Sequence, residues 1–272
     1  MRNELAHLPR VLGDFYSQGI DVAIIDHESD DGTQEYLRSQ LGTQLFHLES
    51  LAWRGEFDLT AQLHAKHALI QKLQHDWVIH SDADEWMQSP RPNESLKEGL
   101  ARLDKEGFNV ANFNEFVFVP SPKQHAKDCR RELLHYYFFE PKPMRLMRAW
   151  KREANLSSVE HGGHILKGPH MKVAHEDFIL RHYIVLSQAH AISKYTGRVF
   201  SNRDIKRGWH GNRMGLNPES LRLPDNSLLK VLPNWSSVEF DKTSRRDLHF
   251  WHWIADWPDR ATEDAYVNQE DY

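Results

Sequence analysis

Trp77-Val-Ile-His-Ser-Asp-Ala-Asp-Glu-Trp86 is a short apolar run that ends in a knot of carboxylates. Its first residues read as a buried strand, and Ser81–Glu85 as the loop at that strand's carboxyl end. The same arrangement occurs upstream, where Val22-Ala-Ile-Ile25 runs into Asp26 and the polar turn His27-Glu-Ser-Asp-Asp-Gly32. Leu5, Leu8, Leu12, Phe15 and Tyr16 ahead of it have helical spacing closed by Gly19, and Thr33–Leu41 and Ala61–Leu73 read as helices between the runs. Alternation of strand and helix predicts an α/β domain of Rossmann-like type, with a mostly parallel central sheet flanked by helices and ligands beyond the carboxyl ends of the strands. Both acidic loops occupy such ends.

Pro90, Pro92 and Asn93 break the pattern; Leu96–Leu103 then reads as a helix, Asn109–Val119 as a strand, Lys123–Leu134 as a charged exposed loop and Met144–Trp150 as a further strand. Residues 153–175 are rich in Gly and His with little periodicity, and Ser187–Phe200 is helical. The expected organisation is one domain over residues 1–217, with residues 218–272 as a C-terminal extension packed on or beside it. Thirty-four Lys and Arg against 39 Asp and Glu leave a formal charge of -5, which gives no general attraction to nucleic acid or an anionic membrane. The single Cys129 excludes an internal disulfide and a Cys-rich zinc site and suits a reducing compartment. There is no long apolar span and no signal-peptide pattern, so the expected location is the cytoplasm, free or at the inner face of the membrane.

Asp82 and Asp84 are separated by one residue. On an extended segment they point the same way and together offer oxygens to a hard divalent cation, with a diphosphate supplying the rest of the shell. Asp26 at the first strand end can accept from a base or a ribose hydroxyl, while Ser29 and Asp31 can cap the next helix. About a hundred residues after the acidic loop comes Arg181-His182-Tyr183, followed by Lys194 and Arg198 on one helical face. A neutral imidazole can complete a Mn²⁺ shell, and the two cations can hold phosphates.

In order and spacing these motifs resemble family 2 glycosyltransferases, and most of all the branch related to family 92. The matching residues are Arg2-Asn3-Glu4, Gly19-Ile-Asp21, Asp26-His-Glu-Ser29-Asp-Asp31-Gly-Thr33, Trp77-Val-Ile-His-Ser-Asp82-Ala-Asp84-Glu85-Trp86, and His182-Tyr183 to Ser187 ahead of Lys194 and Arg198, spanning residue 2 to about 210. The resemblance implies a GT-A fold, a nucleotide-diphosphate sugar donor, and Mn²⁺ or Mg²⁺ as cofactor. It places Asp26 on the nucleotide, Asp82 on the ribose or metal, Asp84 on the metal, and His182 on the metal or diphosphate. The family also carries an apolar strand directly ahead of its Asn-Glu motif, so a Val/Ile-rich strand is expected before Arg2. Partners implied are the nucleotide sugar and a glycan, lipid-linked or other hydroxyl acceptor, in surface-polysaccharide or lipopolysaccharide assembly.

An inverting transfer needs a carboxylate to take the acceptor proton, and Asp177, Glu176 and Glu160 lie in the stretch expected to wall the acceptor side. Asp177 is preferred. Glu85 is a further candidate for substrate contact. Gly163 would let the backbone approach a sugar with His164 bonding its hydroxyls, and Trp209-His210 could close over the donor as a lid between Gly208 and Gly211. Two rivals stand beside this reading. His161, His164, His170 and His175 suggest a zinc hydrolase, although no His-Glu-x-x-His helix occurs. A GT-A domain without activity, acting as a sugar-binding module, is the other.

Overall fold

The computed structural model describes residues 1–121 and 129–253. In chain order its elements are α1 (Leu8–Ser17), β1 (Val22–Asp26), α2 (Thr33–Gln40), β2 (Leu45–Ser50), α3 (Leu59–Lys72), β3 (Trp77–Ile79), β4 (Glu85–Gln88), α4 (Leu96–Lys105), β5 (Val110–Phe118), α5 (Cys129–Glu132), β6 (His135–Phe139), β7 (Met147–Lys151), β8 (Phe178–His182), α6 (Gln188–Tyr195), α7 (Asn202–Lys206) and β9 (Lys230–Val231). Lys123–Leu134, expected as one exposed loop, ends instead in the short α5 with Cys129 and Leu133 buried; its residues 123–128 lie outside the described ones.

In the first third the expected helices and the strands β1 and β3 form as read, while β2 and β4 were not read from the sequence. α1 buries Leu8, Val11, Leu12 and Phe15, and α3 is capped by Asp58, which accepts from the Ala61 amide. α4 starts with a capping box between Ser95 and Glu98. β1 and β2 pair in parallel, as a βαβ crossover requires.

The central sheet corrects the expectation of mostly parallel strands. β3 pairs with β7, β7 with β5, β5 with β6, β6 with β9 and β4 with β8, all antiparallel; within the seven-stranded sheet only β5 and β8 run parallel. β6 and β7 both run against β5, β6 along Glu115–Phe118 and β7 along Val110–Asn112, so these two strands point the same way on their common neighbour. β5 is the spine: buried along its whole length, it pairs with β7 through Val110–Asn112 and with both β6 and β8 through Glu115–Val117.

The described part of the segment after residue 217 packs on the elements before it. Leu221, Leu223, Leu229, Phe250, Trp251 and Trp253 share one apolar cluster with Val117, Ile184 and Val185. The buried Arg181 guanidinium donates to Gln88 Oε1 and to the carbonyls of Trp235 and Ser237, tying this segment to β4 and β8. Residues 254–272 lie outside the described residues.

His7 at the start of α1 is fully buried beside Trp86 and His190, and neither ring nitrogen has a partner among the described residues. Burial, reinforced by Lys194, drives its pKa from 6.5 down to about 3. The neutral ring's contribution is therefore complete above pH 6.5 and is lost as the pH falls from there toward 3, because only the unfolded chain takes up the proton. Urea unfolding at pH 7, 5 and 4 should show that decline, and His7→Phe should flatten it; an unchanged pH slope in the variant would assign the acid sensitivity elsewhere.

Candidate active site

The loop after β1 and the first residues of the chain close on each other. Asp26 is buried and accepts from the amide and hydroxyl of Ser29 at 3.0 and 2.6 Å. Ser29 Oγ in turn accepts from the Asn3 amide, Asp30 pairs with Arg2 and Asn3, and Asp31 accepts from the amides of Leu5 and Thr33. Arg2 lies 4.4 Å over the Trp53 ring. The two motifs are thus one clasp, in which Asp26 and Ser29 hold the turn and Glu4 is carried to the end of β3.

There the acidic motif divides. Residues 82–85 form a turn closed by the Glu85 amide on the Asp82 carbonyl, not an extended segment, so the two aspartates do not share one direction. Asp82 faces Lys66 at 3.4 Å and Arg148 at 3.6 Å, with its side chain half exposed. Against desolvation, Lys66 and Arg148 hold its carboxyl well below the usual carboxylate range. Lys66 Nζ also meets His80, which burial and that ammonium keep neutral. Glu85 is no surface contact for a substrate: it is buried, with Arg148 at 2.8 Å and the Asp82 amide donating to its other oxygen at 2.9 Å. Burial pushes the Glu85 carboxyl up to about 7 despite Arg148.

Asp84 belongs to a second cluster. Lys194 Nζ on α6 lies 2.8 Å from Asp84 Oδ2 and 3.5 Å from Glu4, and His182 Nε2 lies 3.4 Å from the same Asp84 oxygen. The other His182 nitrogen bonds Glu115 at 2.7 Å, and Glu115 pairs with Arg145 at 2.9 Å. Burial works against charge on His182, but Asp84 and Glu115 outweigh it and raise its pKa well above 6.5. Burial pushes Glu4 up to about 7 against the pull of Lys194. Arg198 stands at the edge of this cluster, its guanidinium 4.9 Å over the Phe57 ring.

Of the three carboxylates expected to supply a base, Asp177 and Glu176 are not brought here. Asp177 accepts from Asn112 ahead of β8, and Glu176 pairs with Arg91 and Arg102 on the α4 side. His182 is at the far end of the same strand, about 16 Å away at roughly 3.3 Å per residue. Glu160 is on the loop that reaches the site at Gly163, where a Cβ would come within 2.7 Å of the His80 ring; its own side chain is exposed and paired with Arg207. His164 is buried and kept neutral by desolvation and by Arg145, with Nδ1 unpartnered among the described residues. Trp209 packs on Gly162, and His210 stacks on Phe200 at 4.6 Å, which joins this loop to α7.

An Asp carboxylate and an imidazole 3.4 Å apart suit two positions of a Mn²⁺ or Mg²⁺ shell, in which adjacent ligands about 2.1 Å from the ion stand at roughly this separation. Asp82 is turned away from them. Among the described residues no group of three or more His, Cys, Asp or Glu side chains is placed to hold a metal, and His161, His164, His170 and His175 form no such group either.

Lys66, His80, Glu115, Arg145 and Arg148 were not singled out from the sequence. Glu115 and Arg148 did carry a signal, each being the one ionisable residue of its run: Val110–Phe118, where Asn112 and Asn114 are the other polar residues, and Leu146–Trp150, which is otherwise apolar.

No protein-family model and no curated protein matches this chain. Among solved structures it is similar to S. aureus TarS, a glycosyltransferase, with 11% identity and a TM-score of 0.42 over 68% of this chain and 35% of that one. The chain thus spans about a third of the length of that neighbour.

Asp82 should separate from Glu85 in stability measurements. Glu85→Gln strips a buried guanidinium of its counter-charge and should cost about 3 kcal/mol, whereas Asp82→Asn at a half-exposed pair should cost less than about 1 kcal/mol. Chemical denaturation of both variants checks this, and equal losses would show that Asp82 is part of the scaffold.

Proposed function

We propose that this protein is a glycosyltransferase that moves a sugar from a nucleotide-diphosphate sugar to an acceptor hydroxyl, with inversion and with Mn²⁺ or Mg²⁺. The observation that carries the reading is the placement of Asp84 and His182 on one point with Lys194 against the same carboxylate, at the carboxyl end of β3 and under the clasp that follows β1. The order of motifs along the chain supports the same reading.

Asp84 and His182 would hold the cation, whose contribution when bound is to neutralise charge on the departing diphosphate. Lys194 and Arg198 are placed to take phosphate oxygens once Lys194 gives up its hold on Asp84. Glu115 fixes the His182 ring through Nδ1 and so aims Nε2 at Asp84. Asp26 shapes the loop after β1 from within, so the nucleotide would meet that loop's outer atoms and Trp53. Gly163 and His164 border the sugar side, and Glu160, the one expected carboxylate on that loop, is the base we assign to the acceptor proton. The acceptor would be a glycan, a lipid-linked sugar or another hydroxyl compound. No helix among the described residues is long and apolar enough to cross a membrane, so a lipid-linked acceptor would be met at the membrane surface.

A panel of nucleotide sugars with Mn²⁺ should contain one that raises the thermal midpoint and is slowly hydrolysed or transferred. Asp84→Asn should abolish turnover with the circular dichroism spectrum retained, and full turnover in that variant at saturating donor and Mn²⁺ would end the assignment. An inactive sugar-binding module would give stabilisation with no turnover by the wild type.

Glu160→Gln should lower transfer by about a hundredfold while leaving donor affinity unchanged, and Asp177→Asn should leave both near wild type. Loss of transfer in Asp177→Asn alone would move the base to the start of β8.

A further inference from the structure

Around the acidic turn the charges match, except on one side. Lys194 faces Asp84 and Glu4, Glu115 lies between His182 and Arg145, and Arg148 is shared by Asp82 and Glu85. Arg198 and Arg213 differ from these: among the described residues neither side chain makes a hydrogen bond or an ion pair. Arg198 lies over two rings, Phe57 at 4.9 Å and Tyr195 at 5.9 Å. Arg213 Nε is shielded from water and has no acceptor. A shielded donor on a charged group costs free energy while it stays unpaired, so it calls for a partner that the chain does not supply.

The two guanidiniums belong to one corner. The Arg213 amide donates to the His210 carbonyl at 2.8 Å, and the His210 ring meets the edge of Phe57, the ring under Arg198, at 5.3 Å. Burial lowers the pKa of Arg198 and of Arg145, and Arg213 lowers each further, so its charge is felt by both. Asp204, the carboxylate beside His210, is already taken by the amides of Leu59 and Thr60 and by the Thr60 hydroxyl. The same corner abuts the loop of the proposed base: Trp209 packs on Gly162, and Arg207, 5.0 Å over Trp209, pairs with Glu160 at 3.1 Å.

We propose that Arg213 and Arg198 form an anion subsite on the acceptor side, so that the hydroxyl compound receiving the sugar carries a phosphate group. The proposal rests on the transferase reading above. Metal and donor diphosphate nearly cancel each other's charge and leave these two cations unmatched. A phosphate dianion matches them, and its oxygens suffice for two guanidinium forks, whereas the two oxygens of a carboxylate fill one. Arg198 feels Asp84 as well as Arg213 and can serve either phosphate. Arg213 is the group that distinguishes acceptor from donor.

The test is calorimetric titration of the full chain with glycerol 3-phosphate, glycerate and glycerol, each alone and with saturating Mn²⁺ and pyrophosphate, which occupies a diphosphate site whatever base the donor carries. Glycerol 3-phosphate should bind in both conditions, glycerate at least about tenfold more weakly, and glycerol in neither. Arg213→Gln should weaken glycerol 3-phosphate by about tenfold or more and leave Mn²⁺-pyrophosphate unchanged, with Arg213→Lys in between; Asp84→Asn should do the reverse. Loss of glycerol 3-phosphate binding when Mn²⁺-pyrophosphate is present would assign Arg213 to the donor and overturn the proposal. Unchanged affinity in Arg213→Gln, or glycerate or glycerol binding as tightly as the phosphate, would overturn it as well. Failure of the transferase reading shows separately, as Mn²⁺-pyrophosphate binding that is absent or indifferent to Asp84→Asn.

Discussion

Lys194 placed against Asp84 is the contact on which the geometry around the acidic turn depends. It ties α6 to the end of β3, and through Glu4 it reaches the first residues of the chain. His182 approaches the same carboxylate from β8 and is held from behind by Glu115 of β5. Four segments distant in sequence therefore converge on one carboxylate. Each charge in the group is largely removed from water, and each would be costly alone; together they are tolerable because cations and anions alternate within hydrogen-bond reach. The chain can keep such a cluster only where β5, buried along its length, supplies a rigid floor.

The turn at Ala83-Asp84 gives the acidic motif two roles. Had residues 82–84 continued the strand, both carboxylates would lie on one face and repel one another beside a single cation. The turn sends Asp82 to Lys66 and Arg148 and leaves Asp84 to Lys194 and His182. Arg148 is then shared between Asp82 and the buried Glu85, so the acid that follows the motif is part of its support.

Periodicity was a good guide where structure is local. α1, β1, α2, α3, β3 and α4 were legible because amphipathic spacing, glycine stops and capping residues act within a few positions. Strand direction was not legible, since it depends on whether a connection has room for a crossover, and the alternation of the first eighty residues does not continue past β4. The site was legible in part for the same reason. Asp84, His182 and Lys194 stand in recognisable spacings and do meet. Asp177 looked as well placed as His182 because the two are near in sequence, but a strand carries neighbours apart, and Asp177 ends beside Asn112. Arg145 and Lys66 reach the site from elements whose packing no local pattern reveals.

Charge balance also bears on which ligand the proposed site can take. Asp84, Glu4 and Glu115 already face Lys194, His182 and Arg145, so a bare anion or a bare cation would leave the cluster out of balance in a poorly solvated place. A divalent cation arriving with a diphosphate ester is different. The two nearly cancel, the cation can replace Lys194 on Asp84, and the freed ammonium has phosphate oxygens to go to. On the proposed reading, metal and donor therefore bind together more tightly than either does alone, and the coupling runs through Lys194. Its replacement by Met would leave Asp84 free for the metal while removing the partner of the phosphates, so titrations should show metal affinity retained and its enhancement by nucleotide lost.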